Sequence, residues 1–108
     1  MSDDSSSAGA YYAVVFTSQR NARGSEAYEQ TAARMLELAA AQPGFLDVDS
    51  ARGPDGRGIT VSYWESLDAI ANWREQAEHV AARERGRNEW YEWFRIRICR
   101  VEREYGSE

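Results

Sequence analysis

The chain has 108 residues, a formal net charge of −5, and 43% hydrophobic and 29% charged residues. These values are typical of one globular domain with a single core. An acidic balance argues against binding along a phosphate backbone, which needs clustered positive charge. No apolar run reaches about 18 residues, so the sequence predicts no bilayer span. Nucleic-acid and integral membrane functions are therefore not expected.

The N-terminal residues 1–10 are acidic and polar, and they lack the basic start and apolar stretch of a signal peptide. We predict a disordered leader over residues 1–10, followed by one domain over residues 11–105. The single cysteine, Cys99, has no partner for an internal disulfide, which fits a reducing compartment. The sequence thus predicts a cytoplasmic protein.

The first half of the chain predicts a strand, a helix and a second strand. Residues 11–17 are rich in β-formers, and apolar side chains fall on both faces of this strand. Ser25 is the expected N-cap of a helix that stops at Pro43 and Gly44. The second strand covers residues 45–52, and the glycine-rich residues 53–58 predict a hairpin turn.

The third strand, residues 59–64, runs directly into a second helix over residues 66–85. Ser66 supplies an N-cap oxygen, and an apolar stripe repeats at helical spacing through Ile70, Trp73 and Ala77. The stripe weakens near residues 76–78, where a kink or break is an alternative. Gly86 is the expected C-cap.

The final strand is predicted over residues 93–105. Its apolar side chains change parity near Ile98 and Cys99. A β-bulge at this point would keep one face buried throughout. Alternatively, the far half of the strand packs against a different surface, such as a second subunit.

The predicted order is β-α-β-β-α-β, an α+β, ferredoxin-like unit with both helices on one face of an antiparallel sheet. The opposite face would be left to water, although the first and third strands place bulky apolar groups on both faces. Exposing this surface is unfavourable by about 25 cal/mol per Å². A second copy of the chain that covers the open face is the simplest remedy, so we predict a homodimer.

Several short segments resemble the antibiotic biosynthesis monooxygenase superfamily. The matching segments are residues 12–16, 42–45 and 61–66, with Asn72, Trp73 and His79, and residues 97–105 are similar to the end of one branch. The resemblance covers residues 11–105 and implies a dimeric α+β barrel. Relatives of this kind include cofactor-free monooxygenases of polycyclic aromatics, heme-degrading monooxygenases and polyketide cyclases.

The heme-degrading relatives use an asparagine on the first strand, a tryptophan on the second helix and a histidine about ten residues later. Trp73 matches the tryptophan position. Thr17 lies nearest to the asparagine position, His79 follows Trp73 by six residues, and Arg83 stands ten residues after it. The resemblance therefore implies no required cofactor, with heme as an alternative.

His79 is the only histidine and the only side chain whose ordinary pKa lies near neutrality. It is a candidate proton acceptor or a candidate metal or heme ligand, and the alternative is a helix-surface residue beside Glu75. Trp73 is a candidate wall of a cavity between the second helix and the sheet, and the alternative is core packing. Asn72 is a candidate for orienting a substrate carbonyl or dioxygen, or else it faces solvent.

Further aromatic side chains are candidates for lining the same cavity, and two of the tyrosines are also candidate hydrogen-bond donors. These residues are Tyr63, Trp64, Trp90 and Tyr91. No second histidine or cysteine stands at metal-site spacing, so no metal site is predicted. The resemblance implies a cofactor-independent monooxygenase of a hydrophobic aromatic molecule. The alternative is a non-catalytic ligand-binding domain of the same fold.

Overall fold

The computed structural model describes residues 10–21, 25–84 and 91–107. These residues form four strands and two helices in the predicted order. The elements are β1 (Tyr11–Arg20), α1 (Ser25–Ala40), β2 (Phe45–Arg52), β3 (Arg57–Trp64), α2 (Leu67–Glu84) and β4 (Tyr91–Val101).

The four strands form one sheet with the order β2-β3-β1-β4, and every neighbouring pair is antiparallel. β1 and β4, the first and last strands of the sequence, lie side by side. This is the topology of the ferredoxin-like α+β fold, so the predicted fold class is confirmed.

Alternation along β1 fixes the two faces of the sheet. Tyr12 and Val14 pack against the core beneath the helices, so their side of the sheet is here called the helix side. Tyr11, Ala13 and Val15 point to the opposite side, here called the open face. Both faces of β1 therefore carry apolar groups, as the sequence predicts.

The core lies between the helices and one half of the sheet. Trp64 is fully buried at its centre, together with Ala39, Ala69 and Ile70. α1 packs chiefly against β2, and α2 packs chiefly against β3. The other half of the helix side, which is formed by β4, is left with little cover.

Two strands differ in extent from the prediction. β1 continues to Arg20 because its polar end still pairs with β3 and β4. β4 spans 91–101 rather than 93–105, and its last residue, Val101, pairs with Tyr11, the first residue of β1. α2 runs through residues 76–78 without a break.

The bulge predicted near Ile98 and Cys99 is wrong. The pairing of β4 with β1 is regular there, so Ile98 faces the helix side while Cys99 faces the open face. The change of apolar parity arises because β4 exposes apolar groups on both sides. The irregularities lie elsewhere, where Leu46 in β2 and Glu92 in β4 are each skipped in the pairing.

The start of α2 follows the predicted cap. The backbone N–H of Ala69 donates to Ser66 Oγ at 3.0 Å, and the N–H of Ile70 donates to the Ser66 carbonyl. Predictions for residues 1–9, for Gly86 and for the Ser25 side chain lie outside what the structure describes. Within the described ranges, neither helix combines the length and the apolar character that a membrane span requires.

Gly44 joins α1 to β2 at a close approach between the two helices. Its φ of +87° is a left-handed conformation, and a Cβ placed there would lie 2.6 Å from the Ala69 Cβ. We expect Gly44→Ala to lower the free energy of unfolding by roughly 2–4 kcal/mol, from backbone strain and overpacking together. Urea denaturation measures this loss.

Gly106→Ala is the matched control, because a Cβ at Gly106 meets nothing within 4 Å. It should change the free energy of unfolding by less than about 0.5 kcal/mol. Equal effects of the two substitutions would contradict the proposed contact between Gly44 and Ala69.

Candidate functional site

Two of the predicted site tryptophans lie together, Trp64 inside the core and Trp73 at its edge. The rings of Trp64 and Trp73 stack at a centroid separation of 6.1 Å and an angle of 19°. The indole N–H of Trp64 donates to Ser62 Oγ at 2.9 Å, which satisfies the one polar atom of this buried side chain. Trp73 is only half-buried, so part of its ring remains available for contact.

On the same side of the sheet, β4 and the adjoining part of β1 form an apolar strip that stays partly exposed. Ile96 and Ile98 point to the helix side, yet they are 43% and 49% exposed. They neighbour Phe16 and Val14 on β1 in the sheet register. We call the strip the helix-side trough; its floor is formed by Val14, Phe16, Phe94, Ile96 and Ile98. A partly exposed apolar floor, with a half-buried indole on the same side of the sheet, suits a flat apolar ligand.

An aromatic and cationic cluster closes one end of the trough. The ring of Tyr91 makes edge contacts with Phe16 and Tyr28, at centroid separations of 5.5 and 5.8 Å. The Tyr91 hydroxyl donates to the Tyr28 hydroxyl at 3.3 Å, and Arg52 Nη2 also donates to it. Burial raises the pKa of Tyr91 well above its ordinary value, and the hydrogen bond to Tyr28 adds to this effect. Tyr91 is therefore a neutral hydrogen-bond donor at physiological pH.

The open face carries a separate, shallow groove of about 610 Å³. Tyr63 lies in this groove, on the opposite side of the sheet from its sequence neighbour Trp64. The Tyr11 hydroxyl donates to the Glu104 carboxylate at the groove edge, and this bond raises the pKa of Tyr11 to about 12. The lining residues are Tyr11, Ala13, Leu46, Asp47, Asp49, Val61, Tyr63, Val101, Arg103 and Glu104.

The structure does not bring Asn72 and His79 together with Trp73. Both side chains are exposed, whereas Trp73 faces the core. His79 follows Trp73 by six residues, which places it about 9 Å further along α2 and about 120° around the helix. The predicted catalytic roles of these three residues stay predictions. Trp90 lies outside the described residues.

Of the predicted cavity walls that the structure describes, only Trp64 lies beside Trp73. Tyr91 is on the same side of the sheet but at the other end of β1, and Tyr63 is on the opposite face. The cluster around Tyr28 was missed by sequence reasoning. One signal was present, because Tyr28 belongs to the apolar stripe of α1, but nothing in the sequence paired it with Arg52.

No group of three or more potential metal ligands occurs among the residues that the structure describes. Among the described residues, the helix side therefore offers an apolar trough with phenol and guanidinium groups at one end. Such a site can bind and orient an aromatic molecule by stacking and by hydrogen bonds.

The sequence model of the family described as "Antibiotic biosynthesis monooxygenase" matches residues 11–85. An uncharacterised protein, YqjZ of Bacillus subtilis, is 54% identical over 94 residues, which are 87% of this chain and 82% of YqjZ. These two findings place most of the domain within one family.

Two solved structures illustrate the shared fold. A variant of SnoaB, a cofactor-independent oxygenase from Streptomyces nogalater, aligns with a TM-score of 0.67 and 18% identity, covering 82% of this chain and 89% of SnoaB. A variant of MhuD with two manganese protoporphyrin IX molecules per active site aligns with a TM-score of 0.68 and 19% identity. That alignment covers 89% of this chain and 99% of MhuD.

The hydrogen bond from Trp64 to Ser62 gives a testable prediction. Ser62→Ala would leave the buried indole N–H of Trp64 without an acceptor, so we expect the free energy of unfolding to fall by about 1–3 kcal/mol. Urea unfolding followed by tryptophan fluorescence measures the change.

Ser50→Ala is the control, because Ser50 Oγ pairs with Thr60 Oγ1 at an exposed position where water replaces the lost bond. Its effect should stay below about 0.5 kcal/mol. A similarly small effect of Ser62→Ala would show that the Trp64 N–H finds another acceptor.

Proposed function

The chain belongs to the antibiotic biosynthesis monooxygenase family, and from this membership we propose that it oxygenates a hydrophobic aromatic molecule without a cofactor. The observation that supports this most directly is the half-buried Trp73, which stacks on Trp64 on the same side of the sheet as the exposed isoleucines of the helix-side trough. The fold is shared with SnoaB, a cofactor-independent oxygenase. Fold alone does not fix a reaction, so the proposal rests on the trough.

In such a reaction the substrate supplies its own electrons. The substrate loses two hydrogens, one atom of dioxygen enters the product as a carbonyl oxygen, and the other atom leaves as water. The protein has to bind the aromatic ring, hold it still and stabilise the anion that forms when the first proton leaves. Trp73 supplies a stacking wall, and the isoleucines of β4 exclude water from one side of the ring.

We do not assign the proton transfer to His79 or the orientation of the substrate to Asn72 within one chain. Both side chains are exposed. A base has to come within hydrogen-bond reach of the proton that it removes. A phenolic substrate already ionised in solution needs no such base.

Heme is the alternative suggested by the alignment with MhuD. An iron ligand has to point into the cavity that holds the porphyrin. His79 is the only histidine in the sequence, and its exposed position on α2 does not meet this requirement. The residues of this chain therefore do not fit heme ligation by His79, and we derive no step through heme.

Oxygen uptake tests the proposed function. With a reduced polycyclic substrate such as an anthrone, we expect uptake above the buffer rate and release of the corresponding quinone. Trp73→Phe keeps an aromatic ring in the core but shortens the stacking surface, so kcat/KM should fall about tenfold. An oxygen electrode and chromatography of the product measure both quantities.

Two variants serve as controls. Trp93→Phe makes the same substitution on the open face and should retain the wild-type kcat/KM. His79→Gln should also retain activity, and a tenfold loss there would restore the histidine as proton acceptor. If no anthrone or quinol gives uptake above buffer, the non-catalytic alternative replaces the enzyme.

We further propose that the open face is covered by a second copy of the chain. Leu46, Ile59 and Trp93 are exposed on this face although they are large and apolar. Two sheets packed face to face would remove this surface from water, at about 25 cal/mol per Å². The cytoplasmic location stays a prediction from the sequence.

The charges on the open face support this pairing and favour one orientation of the two copies. One row across the open face runs from Asp49 on β2 through Val61 and Val15 to Arg97 on β4. A two-fold axis parallel to the strands places β2 of one copy opposite β4 of the other. Each Asp49 then faces an Arg97, whereas an axis across the strands would set the acidic edges against each other.

A charge swap tests the arrangement. Asp49→Arg and Arg97→Asp should each weaken the dimer at least tenfold, because each sets like charges against each other. The double variant should return to within about threefold of the wild-type dissociation constant. Sedimentation equilibrium measures the association.

Arg74→Glu is the control, since Arg74 pairs with Glu78 on the exposed side of α2. It should leave the association unchanged. Single variants that dimerise normally would contradict the proposed orientation, and a wild-type chain that stays monomeric at micromolar concentration would contradict the dimer itself.

A further inference from the structure

Ser18 is a buried polar side chain without a partner. Its side chain is 0% exposed, and its hydroxyl forms no hydrogen bond. A buried hydroxyl that makes no hydrogen bond costs about 1–3 kcal/mol, so such groups usually mark a place for water, an ion or a ligand. Ser18 faces the helix side of β1, next to Phe94 at the end of the helix-side trough.

Gly58 lies next to Ser18 on the neighbouring strand, and the guanidinium of Arg52 occupies the space that a side chain at Gly58 would fill. Gly58 pairs with Ser18 on one side and with Arg52 on the other. A Cβ at Gly58 would lie 2.8–3.0 Å from the Cζ, Nη1 and Nη2 atoms of Arg52. Since neighbouring cross-strand positions are about 5 Å apart, the guanidinium lies over the strand beside Ser18.

Two guanidinium groups converge on one phenol at this place. The Cζ atoms of Arg20 and Arg52 lie 4.0 and 5.1 Å from the centre of the Tyr28 ring. Arg52 donates to the Tyr28 hydroxyl and, at 3.0 Å, to the Gly56 carbonyl. Among the described residues, no carboxylate forms an ion pair with Arg52, so its charge is balanced by no acid there.

An irregularity in the pairing of β4 with β1 lies beside this cluster. Gln19 pairs with Trp93 and Arg20 pairs with Tyr91, so Glu92 is an extra residue. The extra residue turns Tyr91 to the helix side, where it contacts Tyr28. Bulges of this kind often lie beside binding sites, where they redirect one side chain.

We propose that this cluster is a carboxylate-binding subsite at the end of the helix-side trough, formed by Arg52, Ser18 and Tyr28. The planar guanidinium of Arg52 matches a carboxylate, and the Ser18 hydroxyl provides a further donor. The expected ligand is an aromatic carboxylic acid, with its ring in the trough and its carboxylate at Arg52. Its use as a substrate rests on the proposed function; its binding does not.

Two probes of nearly the same shape test the subsite: 2-naphthoate, which is anionic at pH 7, and 2-naphthamide, which is neutral. Titration calorimetry of the wild-type chain should show at least tenfold tighter binding of the naphthoate. Arg52→Gln should abolish this preference and leave the affinity for the amide unchanged. The unchanged amide affinity also shows that the variant is folded.

Arg74→Gln, which removes a guanidinium on the exposed side of α2, should retain the full preference. Ser18→Ala should weaken the naphthoate about threefold and leave the amide unchanged. The proposal is overturned if the two probes bind equally to the wild type, if neither binds, or if Arg52→Gln keeps the preference.

The result of this binding test is independent of the oxygen-uptake test of the proposed function. Selective naphthoate binding without oxygen uptake from any aromatic substrate would support the subsite and remove the monooxygenase. Oxygen uptake from neutral anthrones without selective binding would do the reverse.

Discussion

Two helices have to cover a sheet that is apolar on both of its faces, and they cover half of one face. The helices meet the sheet over β2 and β3, where Trp64 is buried completely. Among the described residues, large apolar side chains stay exposed on the helix side of β4 and on the open face. The helix-side trough and the proposed subunit interface lie on these two surfaces, so both follow from the same shortage of cover.

The separation of the two surfaces depends on strand alternation. Neighbouring residues of a strand point to opposite faces, so Val14 belongs to the trough while Val15 belongs to the row that ends in Asp49 and Arg97. The proposed ligand and the proposed second copy would thus contact the same strand from opposite sides. Each contact can be altered without removing the other.

Much of the fold could be predicted because the relevant signals are local. The Ser66 cap, the stop at Gly44 and the two-sided apolar pattern of β1 depend on residues close in sequence, and the structure shows each of them. Strand alternation also predicts that Tyr63 and Trp64, which are neighbours in β3, point to opposite faces of the sheet. Grouping them as walls of one cavity ignored that period.

The positions of Leu46 and Glu92 could not be predicted in this way. An extra residue in a strand carries no local signature, because it depends on the partner strand's register. The same limit applies to the cluster at Tyr28, which joins α1, β1, β2 and β4. The sequence could identify aromatic and basic residues there, but not that four elements bring them to one point.

The extra residue in β4 also has an evolutionary consequence. Removing Glu92 alone, a change of one codon, would restore even pairing and leave Tyr91 opposite Arg20 on the helix side, while residues 93–101 kept their partners on β1. The bulge therefore accommodates one added residue without moving the phenol away from this end of the trough. A change of strand length at this position then needs no rearrangement of the core.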